Sequence, residues 1–234
     1  MTAPLLELQA ADTMAEQLRH RRDTLAEREQ VQAAKNALLR WNEARMVTRR
    51  RIEELTAEIE KTEQESATVQ KQRDRMQAQL RTVIAPREAE ALQHEIAILA
   101  TRRGDLDEAE LIAMEEQTRL EAELDGLLAQ EESLTADYLA AESTLAAAEI
   151  DIDGELKRID DRLEGLRAGV DKAILRRYDR LRENVMVAAA TLAGSRCDGC
   201  HLDLSAMEID ELREAAAKSD GIAECPQCGR LLVL

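Results

Sequence analysis

The 234-residue sequence predicts a mainly α fold: a long antiparallel coiled-coil helical hairpin followed by a small C-terminal domain. Three observations point there. The first is a shortage of rings, with one Trp, two Tyr and no Phe. A compact domain of this length closes its core with aromatic side chains that each bury roughly 150–250 Å². The second is composition: 34% charged and 44% hydrophobic residues, with nine Gly and three Pro. High charge with few turn formers belongs to long helices rather than to a globular α/β enzyme, and the apolar share argues against disorder. The third is heptad spacing.

Ile52, Leu55, Ile59, Thr62, Ser66, Val69, Arg73, Met76, Leu80 and Val83 step three and four apart without a break. Val31, Ala34, Leu38, Trp41, Arg45 and Thr48 carry the same phase upstream. Leu8, Ala11, Ala15, Leu18, Arg22 and Leu25 form a second register, and the two meet near Arg28 with a three-residue slip. Such a slip predicts local overwinding of a coiled coil. Past Pro86, Leu92, Ile96 and Leu99 open a second arm that ends in Ile152, Leu156, Ile159, Leu163, Leu166, Val170 and Ala173. The segment RTVIAPRE, with β-branched residues and a proline, predicts a turn near 82–87. Gly104 predicts a kink, since Gly costs a helix interior about 1 kcal/mol relative to Ala. The hairpin is thus expected over 1–183 and the terminal domain over 184–234.

Charge gives the orientation of the arms. Residues 1–87 carry 16 basic and 14 acidic side chains, whereas 104–155 carry Arg119 alone against 17 acids. With a turn near 85, residues that face each other across the hairpin have numbers summing to about 170. The acidic block then lies beside 15–66, which holds Arg19, Arg21, Arg22 and Arg49, Arg50, Arg51. Opposite charges favour this antiparallel pairing over a parallel dimer. The expected state is a monomer, with a dimer through an open hairpin seam as the alternative.

After Glu183 the texture changes. VMVAAATLAGSR, with Val185 and Val187, reads as a strand leading into CDGC; GRLLVL after CPQC reads as another. Ser205 and Glu208 have the spacing of a capping box, which predicts a helix between the two cysteine pairs. Cys197, Cys200, Cys225 and Cys228 form two Cys-x2-Cys knuckles with 24 residues between them. Gly199 and Gly229 promise the backbone freedom of a tight turn. Four thiolates close a tetrahedron with no open position, so one structural Zn2+ is expected, and the terminal domain is a zinc ribbon. His201 next to Cys200 reads as a bystander, and His20 and His94 as helix-surface residues.

The string CDGCHLDL…ECPQCGRLLVL, with EAEALQHEIAILATRRGDLDEAELIAMEE upstream, resembles a widespread bacterial family in which a C4-type zinc ribbon follows a coiled-coil hairpin. The resemblance implies that Cys197, Cys200, Cys225 and Cys228 are the metal ligands. It also implies a non-enzymatic accessory role, as in relatives of flagellar assembly and type III secretion that contact a sigma factor or messenger RNA.

No nucleophile–base pair, phosphate loop or isolated carboxylate pair is present in the sequence, so an enzyme is not expected. Two kinds of partner remain. The coil suits protein partners, making the chain an adaptor or chaperone-like factor. The neck residues Lys172, Arg176, Arg177, Arg180, Arg182 and Arg196 suggest RNA or DNA binding through the ribbon. Against that, residues 185–234 hold eight acids and four bases and no Phe, Tyr or Trp to stack on a base, and the whole chain has a pI near 4.8. A hairpin tip that acts through acidic side chains, as in factors entering the polymerase secondary channel, does not fit TVIAPRE. No run approaches 18 apolar residues, and MTAPLLELQAADTMAEQ lacks a basic, then apolar, leader; a cytoplasmic, membrane-free protein is expected.

Overall fold

The computed structural model describes residues 3–234. Its elements are α1 (Ala3–Asp23), α2 (Ala26–Leu80), α3 (Pro86–Leu128), α4 (Glu131–Ala168), α5 (Lys172–Arg182), β1 (Ala189–Ala193), β2 (Arg196–Cys197), α6 (Ala206–Ala217), β3 (Ile222–Glu224) and β4 (Leu231–Val233). They fall into two compact bodies: Gln30–Ala141, and the chain up to Glu29 together with Glu142–Leu234.

The first body is an antiparallel pair of α2 and α3. Pro86 sits in the first turn of α3 behind Ala85, whose backbone is extended, so the reversal spans 81–85. This is where a proline costs a helix nothing, because its missing N–H would be unpaired anyway. Leu55, Ala113 and Leu120 are buried together, with Ile52 and Ile59 packed on them. Polar seam residues bond across the arms: Ser66 Oγ lies 3.1 Å from Asp107, and Thr48 Oγ1 3.4 Å from Glu123. Arg51 reaches both carboxylate oxygens of Glu116 at 3.3 Å. These facing numbers sum to 173, 171 and 167, as the hairpin arithmetic requires.

Helical structure continues through Gly104, and a two-residue interruption falls at Ala129–Gln130. One glycine among strong helix formers costs too little to break the hydrogen-bond ladder. The half-buried Trp41 donates its indole N–H to the carbonyl of Leu127 at 2.7 Å, serving an acceptor at the end of α3.

In the second body the register slip near Arg28 is not absorbed by overwinding. The helix stops at Asp23 and restarts at Ala26. Arg28 folds back to the carbonyl of Arg22 at 3.1 Å and pairs with Glu149. Arg22 meets Asp153 at 2.7 Å and Arg19 meets Asp160 at 3.4 Å. A break lets each segment keep its own apolar face inward, which twisting alone achieves only over several turns.

The sheet has the order β2-β1-β4-β3, with β1 and β4 parallel and the outer pairs antiparallel. Its strands alternate between two cores. Ala189, Leu231, Val233 and Ile222 face a cluster containing Leu5, Leu8 and Tyr178. Ala190, Leu232 and Ala223 face the opposite cluster, with Leu204, Leu212, Ala216 of α6 and two of the cysteines. The strand expected around Val185 and Val187 begins at Ala189 instead. Ala188 and Ala189 pack in the cluster with Leu5 and Leu8 of α1, and a run of alanines gives no alternation to read.

Candidate metal centre

Each cysteine pair sits in a reverse turn of the same design. The Cys197 N–H donates to the Leu202 carbonyl at 3.0 Å, and the Cys225 N–H to that of Arg230 at 2.9 Å. The Cys197 carbonyl accepts from the His201 N–H at 2.7 Å, and the Cys225 carbonyl from the Gly229 N–H at 2.8 Å. His201 (φ 61°) and Gly229 (φ 73°) are therefore equivalent left-handed positions that close the two turns. The torsional demand placed on Gly199 by the sequence reading falls on His201. Gly199 is required for space: a Cβ there would lie 2.6 Å from Arg230 Cδ and 3.2 Å from Ala190 Cβ.

This geometry brings Cys197, Cys200, Cys225 and Cys228 together, one ligand atom from each, all within 4.8 Å of one another. Tetrahedral coordination with 2.3 Å Zn–S bonds has edges of about 3.8 Å, so the four sulfurs fit a zinc ion after a small contraction. Cys197 and Cys225 are buried, and Cys200 and Cys228 partly so. Burial pushes the Cys197 thiol up, and the Cys225 thiol to about 12. Burial also disfavours the Cys228 thiolate, but the backbone N–H and side chain of Arg230 outweigh it and bring that thiol down to about 7. These four sulfurs would hold a zinc ion as thiolates, and binding would deprotonate those that burial otherwise keeps as thiols. Four sulfur ligands would fill a tetrahedral shell, so such an ion would supply structure.

Two residues around this centre escape a sequence reading. Arg230 lies over Gly199, donates Nε–H to the Val187 carbonyl at 2.8 Å and stabilises the Cys228 thiolate. A cation directly after CPQCG was its only signal. Gln9 is 6% exposed, and its Oε1 accepts from the backbone N–H groups of Ala188 (2.7 Å) and Ala189 (3.1 Å). Its Nε2 donates to the Met186 carbonyl at 3.1 Å, so one side chain on α1 holds the entrance to β1. Nothing in the sequence separates it from a solvated helix residue.

The neck cations divide. Arg182, placed in the basic patch by the sequence, is directed inward: it pairs with Asp12 at 3.9 Å and with Glu16, and donates to the Met186 carbonyl. Arg177 pairs with Glu224, and Arg196 donates to the His201 carbonyl at 2.9 Å. Lys172, Arg176 and Arg180 are exposed. Tyr178 beneath them is fully buried and donates to Asp12 at 2.6 Å. His20, His94 and His201 are exposed, and none belongs to the cysteine group.

The chain matches two family descriptions: a CT398-like coiled coil hairpin domain over residues 8–186 and a C4-type zinc ribbon domain over 196–232. An uncharacterized protein of Mycobacterium tuberculosis is 29% identical over 233 residues, covering 98% of this chain and 93% of its own. A solved Mycobacterium smegmatis structure aligns with a TM-score of 0.79 at 25% identity, over 99% of this chain and 97% of that one. The structure of CT398 from Chlamydia trachomatis aligns at 0.67 and 22% identity, over 99% and 96%, and shares the fold.

Proposed function

Starting from the fact that the chain belongs to the CT398-like coiled coil hairpin family, we propose that it acts by binding, not catalysis, as a protein-binding adaptor or chaperone-like accessory factor. The observation behind this reading is an apolar surplus on the arms. Leu39, Met46, Val47, Leu111, Ile112 and Met114 are all about half exposed or more, although the α2–α3 seam is already filled by other residues. Apolar side chains left exposed along both arms, outside a satisfied core, are available to a protein partner. The zinc ion stabilises the ribbon and takes no part in chemistry. No helix among the described residues is long and apolar enough to cross a membrane; the proposed setting is the cytoplasm and the proposed state a monomer.

The competing reading is RNA or DNA binding through the ribbon and Lys172, Arg176 and Arg180. Arg182 is turned inward and Arg177 is paired with Glu224, which reduces the positive surface offered to phosphates. One experiment separates the two. Tagged protein is used to capture partners from host lysate, with and without nuclease, beside a variant carrying Met46→Ser, Val47→Ser, Leu111→Ser and Ile112→Ser. Proteins retained after nuclease by the parent and lost by the variant support the adaptor. Partners lost with nuclease but kept by the variant overturn it in favour of nucleic acid.

A further inference from the structure

We propose that metal capture by the ribbon and docking of α1 are a single coupled event, so that the loaded ribbon is the clasp that holds α1 in place and zinc loss releases it. This goes beyond the adaptor reading and does not depend on it.

The most deeply buried part of the α1 attachment is shared with the ribbon, in a cluster that α4 and α5 also line. Leu5 and Leu8 are essentially unexposed, packed among Ala188, Ala189, Ile222, Leu231 and Val233 of the sheet. Gln9 is buried with all its polar partners bar Thr13 supplied by residues 186–189. If β1 loses its order, Gln9 keeps a buried amide whose oxygen has no donor and whose nitrogen has Thr13 alone, and burying an unpaired polar group is strongly unfavourable. Order in β1 and seating of α1 therefore stand or fall together.

The same strands carry the metal turns. Leu192 is the register partner of Cys197, and the Asp198 N–H donates to the Thr191 carbonyl at 3.1 Å. Ala190 and Leu232, one residue along from those that face Leu5 and Leu8, lie in the cluster containing Cys197 and Cys225. β2 has two residues and β4 three, each too short to persist without the cross-link that the metal provides. One thin sheet thus has α1 on one face and the sulfur cluster at the other.

Without the ribbon, α1 keeps only a partial attachment: Leu163 and Leu166 of α4 and Ile174, Leu175 and Leu181 of α5, all only partly buried, and the half-exposed Arg22–Asp153 pair. Ala11 and Ala15 offer small buried side chains. The pairs Arg19–Asp160 and Arg162–Glu7 are exposed, and exposed pairs contribute about 0–1 kcal/mol each. Tyr178 and Arg182 bind Asp12 and Glu16, but Tyr178 belongs to the same cluster as Leu231 and Ile222 and loses that packing with them.

Amide hydrogen exchange followed by mass spectrometry tests the coupling on the full-length zinc-loaded chain, before and after stripping by a chelator. Residues 5–18 are expected to exchange at least about tenfold faster once zinc is gone, while residues 45–75 stay within about twofold. An unchanged rate at 5–18 in protein shown by intact mass to be metal-free overturns the proposal, whether or not the ribbon itself opens. Coupling is also reciprocal. Leu8→Ala with Gln9→Ala should make zinc pass to a competing chelator about tenfold more readily, in protein whose helical circular dichroism is retained. Zinc affinity equal to the parent's, with residues 5–18 already exchanging fast, overturns it from the other side.

Discussion

Single residues decide the ribbon turns, and they do so for different reasons. Gly199 is a matter of space and Gly229 a matter of torsion, with nothing within 4 Å of a Cβ at the latter. Gly199→Ala should loosen zinc retention by displacing Arg230, and adding Arg230→Ala should recover much of the fold while leaving Cys228 without its cation. Gly229→Ala should cost about 1–2 kcal/mol from left-handed strain, with no recovery from the same second change. Zinc-competition titrations of the four variants distinguish the two behaviours. Beneath the ribbon, Tyr178→Phe deletes the hydrogen bond to Asp12 and should cost about 1.5–3 kcal/mol, read as a shift in the urea midpoint at constant slope. The four ligands were legible because ligation imposes a spacing on the chain itself. Gln9, Tyr178 and Arg230 were not, because their partners lie up to 180 residues away and leave no local pattern.

At the scale of elements, what is local could be read and what is tertiary could not. The capping box at Ser205 and Glu208 forms as its spacing predicts, with both reciprocal bonds present. The reversal before Pro86 follows from proline's own geometry. The break at Thr24–Leu25 is visible in the sequence as a register slip, but the slip alone does not say whether a coil twists or snaps. Helix α5 is started by Asp171, whose carboxylate accepts from the N–H groups of Ala173 (2.7 Å) and Ile174 (3.2 Å). Those bonds hold the carboxyl below its usual range. A carboxyl lowered by folding contributes stability that is present above its unfolded value and lost as pH falls through the folded one. Acidification below about pH 4 should therefore uncap α5. Asp171→Asn, which keeps an acceptor oxygen, should flatten that part of the acid profile of α5 exchange.

Over the whole molecule, charge selects the pairing and apolar contact stabilises it. The acidic stretch 104–155 meets arginines of the opposite arm at Arg51–Glu116 in one body and at Arg22–Asp153 in the other. The Arg22 and Arg51 guanidinium groups are both held above their usual range by the hydrogen-bonded carboxylate. Because the pairs are exposed, each is expected to contribute only about 0–1 kcal/mol to stability. Arg51→Glu should lower the melting temperature at low salt, Arg51→Glu with Glu116→Arg should restore it, and 1 M salt should shrink the difference. A double variant no better than the single one would show that the register is set by the apolar seam alone.

The bond from Trp41 to the Leu127 carbonyl has a practical consequence. Trp41 is the chain's single tryptophan, and the Arg45 guanidinium lies 4.8 Å from its ring centre. Light at the red edge of protein absorption therefore excites one site, where α2 meets the end of α3. Separation of those helices exposes the indole to water and shifts its fluorescence. The protein carries its own optical reporter of helix pairing, one that needs no dye and leaves all four thiols free for the metal.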